Sequence, residues 1–428
     1  MKTPNEYAVA AALAAALLTQ GHVPVQAQEK SLYMGAEVPL AEAPNGAVIN
    51  AEALKATSKI IYTEPTNEKL ADGVWCIGGL SIANTIVIEG DDGLIVYDTG
   101  DNKEEGEHIR EAIRKISDKP IKAIIYSHSH YALGGGAIMD EPDDGRGIGH
   151  PEVNDTVKTN MQAGGAPSVI PEIGPVLSSR TLIQFNNFLP PEGPDAALAG
   201  KIEGGKPIAF LPANKTVEDG EELDVLGVKM QFFTEFTSDD YNLTVWIPEK
   251  GVVMNNFFWP GTPNLYTLRG GDYRDPLIWR DGLKVIRDLQ PEILANTHTR
   301  AIVGKDEVAK RLTGYMDRIS LTYDQTLRGI LAGLSLGDLR NAVYIPPHLK
   351  EIPENAESYG ETVHFPEAIY QYVIGWFDGD VTKLFVVPPQ EEAERLVELM
   401  GGTAKVVTAA RAALDAHDFA WGAPLIQH

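Results

Sequence analysis

Ala123-Ile-Ile-Tyr-Ser-His-Ser-His-Tyr-Ala-Leu-Gly-Gly-Gly136 is an apolar run that ends in two histidines one residue apart and then in three glycines. Ile124, Ile125 and Tyr126 read as a buried strand, and the glycines let the backbone turn sharply. Side chains alternate along an extended segment, so His128 and His130 point the same way. Two imidazoles on one side of a strand end are half of a metal site, and further ligands must come from elsewhere. The competing reading is one packed histidine and one that bonds a loop. Strand, pair and glycines together favour the metal.

Strands continue on both sides of this stretch. Upstream, Val74–Ile77, Thr85–Glu89 and Gly93–Tyr97 follow one another, with Gly90-Asp-Asp-Gly93 as a hairpin turn. A helix follows, carrying Ile109, Ala112, Ile113 and Ile116 on one face, and Pro120 stops it. Downstream, 137–205 is rich in Gly, Pro and Asp and reads as a loop-rich insertion. Further strands are predicted around Ala209–Leu211, Leu226–Phe233, Leu243–Ile247 and Gly251–Met254. A helix from about Asp281 to Leu289 precedes the strand Ile293–Asn296, which leads to His298.

Beyond Gly304 the pattern is helical, with Val308, Leu312, Tyr315, Met316, Ile319 and Tyr323 at three- and four-residue intervals. Pro388-Pro389 opens a later helix with Glu391 and Glu392 in its first turn. Thr403 is predicted to cap another, running to about Asp418. The predicted organisation is an α/β domain over 71–304, preceded by an extended leader over 28–70 and followed by an all-α region over 305–428.

At 428 residues and 43% hydrophobic content the chain can bury two cores. Its net charge of −24, with no cluster of Lys and Arg, argues against nucleic acid as a partner. Residues 1–27 read as a signal peptide, from the apolar run Val9–Leu18 and the small-residue cleavage site Val25-Gln-Ala27. That run is too short to span a bilayer and no other segment approaches twenty apolar residues. The expectation is export, to a periplasm or beyond, without a membrane span. Cys76 is the only cysteine, so no internal disulfide forms, and it reads as a buried filler.

Asn84-Thr-Ile-Val-Ile-Glu-Gly90, Tyr97-Asp-Thr99 and Tyr126-Ser-His-Ser-His130 together resemble the metallo-β-lactamase superfamily. Asn264-Leu-Tyr-Thr-Leu-Arg-Gly270, Arg274-Asp-Pro276, Tyr323-Asp-Gln-Thr-Leu-Arg328, Tyr359-Gly360, Gly375-Trp-Phe-Asp-Gly379 and Met400-Gly-Gly402 narrow the resemblance to its alkyl sulfatase branch, over roughly 70–425. The resemblance implies an αββα catalytic domain with two zinc ions and an all-helical dimerisation domain. It also implies cleavage of alkyl sulfate esters to an alcohol and inorganic sulfate, and a homodimer.

The chain departs from that family's His-x-His-x-Asp-His motif, because its last two positions are Ala132 and Leu133. A family glutamate is replaced by Asn255 or Asn256, and another falls in Thr237-Ser-Asp-Asp-Tyr-Asn242, where Asp239 or Asp240 could stand in. Acidic pairs between strands also make solvated turns. His298 matches a family ligand position. The expectation is therefore one zinc per chain rather than two, held by His128, His130 and one of Asp239 or Asp240, with His298 close by. His298, as a general base, and Asp240 are the catalytic candidates. Arg269 and Arg274 are candidates for holding an anionic headgroup bidentately, with Tyr266 and Asn256 nearby. An Arg274–Asp275 pair is the structural alternative for the second arginine. Gln325 and Arg328 either reach the pocket mouth or brace a helix.

The expected function is an exported hydrolase acting on an anionic small-molecule ester, with metal-bound water attacking the sulfate. Two alternatives stand beside it. One is hydrolysis of another ester, such as a phosphoester or lactone, on the same fold. The other is a dimeric binding protein that has lost its metals.

Overall fold

The computed structural model describes residues 39–140, 145–162, 171–198, 202, 205–266, 268 and 273–427. The expected signal peptide, residues 1–27, and Arg269 lie outside the described residues.

The described part of the expected leader, from residue 39 on, holds regular elements. Strands β1 (Leu40–Glu42) and β2 (Val48–Asn50) form a small antiparallel sheet, and the helix Ala51–Ile60 follows. Asn50 caps that helix by accepting the N–H groups of Glu52 and Ala53, and Glu52 and Lys59 suit its dipole. These local signals were present in a segment whose apolar periodicity is weak.

Seven strands form one sheet, in the order β3 (Thr66–Ala71), β4 (Val74–Gly78), β5 (Thr85–Glu89), β6 (Leu94–Tyr97), β7 (Ile121–Ile125), β8 (Arg146–Gly149) and β9 (Lys215–Thr216). Neighbours from β3 to β6 run antiparallel, and β6 to β9 run parallel. Six more form the second sheet: β10 (Glu222–Val225), β11 (Val228–Phe233), β12 (Thr244–Ile247), β13 (Val252–Asn255), β14 (Ile293–Asn296) and β15 (Ile302–Val303). Only β13 and β14 pair in parallel there. The strand expected over Leu226–Phe233 begins after a two-residue turn, because Leu226 and Gly227 both take positive φ, 54° and 82°, and reverse the chain.

The sheets share one core. Cys76, Ile86, Ile88, Ile95, Tyr97, Ala123 and Ile125 from the first meet Met230, Phe232, Val245, Ile247, Val252, Met254 and Ala295 from the second. Each fully buried aliphatic side chain adds roughly 1.5–3 kcal/mol. The alternate residues Val87, Val96 and Ile124 face outward, onto Ile109, Ala112 and Ile113 of the helix Lys103–Arg114. On the second sheet Val253 and Leu294 are also buried, and the helix Pro276–Asp288 brings Trp279, Leu283 and Ile286 to the interior. This is an αββα sandwich.

The expected insertion over 137–205 is not loop alone. It contains β8 and the helices Val153–Gln162 and Gly174–Gln184. Ala209–Leu211 is not a strand; Ala209 instead exchanges backbone hydrogen bonds with Leu133 and Gly136.

Past β15 the described chain is helical, beginning with Lys305–Leu331. Compact packing divides it elsewhere than at 304/305. One unit runs to Asp324 and takes in Ile345–Val373; the other holds Gln325–Tyr344 and the residues from Ile374 onward. Two arginines, the second of them buried, explain the first grouping. Arg311 pairs with Glu354, and Arg318 donates to the Asn355 carbonyl at 2.9 Å and pairs with Glu357 at 3.1 Å. In the second unit Gln325 is a brace, bonding the Tyr344 backbone through both its amide atoms. Helices Pro389–Leu399, Thr403–Asp415 and Phe419–Ile426 complete that unit. The cap of the second of these is Gly402 rather than Thr403. No described helix is long and apolar enough to cross a membrane.

Candidate metal centre

The centre forms where β6, β7 and β14 end side by side. Asp98, at the end of β6, has φ of 63° and is fully buried. One of its oxygens accepts the Ser127 N–H at 2.8 Å, and the other accepts the Thr297 hydroxyl at 3.0 Å. Asp98 thereby joins the residue before His128 to the residue before His298. Burial pushes its carboxyl up to about 7, against the pull of those hydrogen bonds. The sequence offered a carboxylate at a strand end and no way to know what it tied together.

His128 and His130 follow β7 in a bend and a 3-10 turn, not in the extended strand expected: Ser129 between them is helical, with φ of −68°, and the turn brings the two rings together. The Ser127 hydroxyl lies 2.7 Å from His128 Nδ1, and His128 Nε2 lies 3.1 Å from His130 Nδ1. Asp239 Oδ2 lies 3.5 Å from that same His130 nitrogen. Tetrahedral zinc with bonds near 2.0–2.1 Å separates its ligand atoms by about 3.3 Å, so these spacings suit one such ion. Among the described residues His128, His130 and Asp239 are the group whose donor atoms all lie within 4.8 Å of one another.

Asp239 is only 5% exposed, so it is not a solvated turn residue. Burial raises its carboxyl, but His128, His130 and Arg274 outweigh that and hold it well below the usual carboxylate range. Ser238 and Asn256 support it. The Ser238 hydroxyl donates to Asp239 Oδ1 at 3.1 Å, and the Asn256 amide donates to Ser238 at 3.1 Å and to Asp239 at 3.4 Å. Asp240 turns elsewhere and accepts the Ser129 hydroxyl, while Asn160 donates to that serine at 3.3 Å. Of the two aspartates, Asp239 joins the histidines and Asp240 positions the loop.

His298 is near the centre but outside the three-residue group. Its ring lies 5.2 Å from that of Tyr131 and 5.4 Å from that of Trp259, and its Nε2 is buried with no hydrogen-bond partner. Burial, then the charge of His128, hold its imidazole down to about 3. It is neutral at pH 7 and too weakly basic to store a proton there, unlike the general base expected.

Arg274 does not pair with its neighbour. Asp275 caps the helix Pro276–Asp288 by accepting the Leu277 N–H at 2.8 Å. The Arg274 guanidinium donates to Asn264 instead, lies over the Trp259 ring at 5.2 Å, and sits 3.9 Å from Asp239. Tyr266 turns from the expected role: its hydroxyl accepts the Glu361 N–H at 3.0 Å and its ring packs on His364 and Phe365. Asn255 is structural, bonding Asn296 on β14 and the N–H groups of Phe257 and Phe258. Trp259 was missed. It touches Arg274 and His298, and its indole N–H donates to the Asn256 carbonyl at 2.8 Å. A lone tryptophan before a proline carries no signal of that.

Two family models match the chain, the metallo-beta-lactamase superfamily over residues 78–131 and alkyl sulfatase dimerisation over 336–428. A linear primary-alkylsulfatase of a Pseudomonas sp. strain is 33% identical over 348 residues, covering 79% of this chain and 65% of that protein. An alkyl/aryl-sulfatase of Saccharomyces cerevisiae is 27% identical over 372 residues, covering 84% and 56%. This chain therefore spans between about half and two thirds of the length of those relatives. The solved structure of the stereoselective inverting sec-alkylsulfatase Pisa1 from Pseudomonas sp. aligns with a TM-score of 0.77 at 21% identity, over 98% of this chain and 70% of that one, a likeness of fold. Both family models and the curated relatives make the chain similar to the alkyl sulfatase branch of the metallo-β-lactamase superfamily, and the solved structure agrees with them in fold.

Proposed function

We propose that this chain is a metal-dependent hydrolase of alkyl sulfate esters, working with one zinc ion at His128, His130 and Asp239. The observation that carries the reading is this buried donor set, two imidazoles and an ionised carboxylate, with a fixed guanidinium beside it. Zinc held there would supply a Lewis acid and lower the pKa of a coordinated water to about 7. The Ser127 hydroxyl, 2.7 Å from His128 Nδ1, can accept a proton from that nitrogen in the tautomer that would present the Nε2 lone pair to the ion. Asn256 and Ser238 fix the carboxylate of Asp239. Arg274, pinned by Asn264 and Trp259, matches two sulfate oxygens with two N–H groups and offsets the acidity of the chain as a whole. The same reading takes the chain as exported through residues 1–27 and as a homodimer through its helical region.

Elemental analysis of protein never exposed to chelator, beside release of sulfate from a linear alkyl sulfate, tests this directly. About one zinc per chain with sulfate release supports it; one zinc with turnover only of a phosphoester or lactone moves the reaction to that ester. The binding-protein reading rests on one observation, that Ala132 and Leu133 are packed in the core where the family has ligands. Alkyl sulfate bound without metal or turnover would establish that reading instead.

A further inference from the structure

Tyr131 follows His130 directly, and its ring stands edge-on to three imidazoles. The centroids lie 4.9 Å from His128, 6.2 Å from His130 and 5.2 Å from His298, with 76° between planes in each case. The ring does not swing away easily. Its own carbonyl accepts the Thr99 N–H at 2.7 Å and the Thr99 hydroxyl at 2.9 Å, and the residue is 6% exposed. His298, whose buried Nε2 has no hydrogen-bond partner, packs on the same ring and lies outside the group of three donors.

We propose that Tyr131 is a partition that confines the centre to a single ion and keeps His298 out of the ligand set. The inference rests on reading His128, His130 and Asp239 as a metal centre. Charge agrees with it. Asp239 is the only carboxylate among the donors and already faces Arg274 at 3.9 Å, while Asp240 is committed to Ser129. Among the described residues no second carboxylate joins that group, so a further divalent ion there would lack an anionic ligand, and a buried charge without one is costly.

Titration of the metal-free full chain with cobalt(II), read by absorption and elemental analysis, tests the partition. The expected result is one cobalt per chain, with an affinity that changes less than about threefold on His298→Ala, where loss of a true ligand costs about tenfold or more. Tyr131→Gly removes the ring. Its affinity should rise about tenfold, with weaker d–d absorption as a further ligand joins, and adding His298→Ala should cancel that gain. Tyr131→Phe should behave like the unaltered chain, since the ring and not its hydroxyl forms the wall.

A drop of about tenfold or more for His298→Ala alone overturns the proposal, as does a second cobalt of similar affinity; neither result depends on the glycine variant folding. No cobalt binding at all overturns both the partition and the metal reading. One cobalt without sulfate release spares the partition and sinks only the proposed substrate.

Discussion

Residues 127–130 and residues 131–133 leave the same strand end, yet they are built for different ends. Ser127, His128, Ser129 and His130 direct their polar atoms at one another, at Asp239 and at Asp240. Ala132 is fully buried, and with Leu133 it joins the apolar layer of Ile109, Ala112 and Ile113 on the outer face of the first sheet. Tyr131 stands between them. A buried polar group is tolerated only where its partners surround it, and those partners exist on one side of this turn. The comparison teaches that one turn can send its first half into a polar cluster and its second half into ordinary core.

The largest effect expected is at the polar half. His128→Ala should abolish bound zinc and lower kcat/KM for an alkyl sulfate by roughly a thousandfold or more, seen by elemental analysis and a sulfate-release assay. Full activity in that variant would break the comparison at its base. Next comes the apolar half. Ala132→Asp puts a carboxylate where nothing offsets it and should cost about 3–5 kcal/mol in denaturant unfolding. If the variant instead stayed as stable and took up a second zinc, Ala132 would be a dormant ligand position rather than core.

Gly134 sharpens the path between the halves, because a Cβ there would sit 2.1 Å from the Thr99 carbonyl oxygen. Gly134→Ala should cost roughly 1–3 kcal/mol of stability and weaken metal binding too, since the same turn carries the histidines. Loss of stability with unchanged metal affinity would show that the two halves move independently.

The smallest effect concerns a charged group that supports β7 from its other end. Asp140 accepts the Ile121 N–H at 2.8 Å and pairs with Arg110 and Arg114. Burial raises its carboxyl, but Arg114, the Ile121 N–H and Arg110 outweigh this and hold it below its ordinary value. The folded state therefore favours the ionised form, and the stability this gives is present above the unfolded pKa and lost as pH falls through the folded one. Asp140→Asn should cost about 1–2 kcal/mol near pH 7, with the gap from the unaltered chain closing in acid. A gap that held constant or widened as the pH was lowered would contradict this account, and thermal melts across pH decide it.

Much of this was legible in advance because it is local. The apolar run marked β7, but the turn after it and not strand alternation brings His128 and His130 together; the helical repeat marked Lys305–Leu331; Pro389 marked the start of a late helix. The helix Ala51–Ile60 was missed although Asn50, Glu52 and Lys59 announce its ends, because only one of its residues is buried and its apolar stripe is thin. The partners of the charged side chains were not legible. Asp275 was the nearest acid to Arg274 in the chain, but its side chain is taken by the helix cap, and the arginine reaches Asn264.

By itself, then, the sequence determined most of the strands, the paired histidines, the helical second half and the apolar pair Ala132 and Leu133 that follows the histidines, since short-range sterics and periodicity act between neighbours. Only the tertiary structure decided that Asp239 and not Asp240 meets the histidines, that Tyr131 packs against both His130 and His298, and that Arg274 faces the site. The first two join segments more than a hundred residues apart, Ser129 and Asp240 being 111 positions from each other. Their distances follow from how two twisted sheets pack, a property that no local pattern contains.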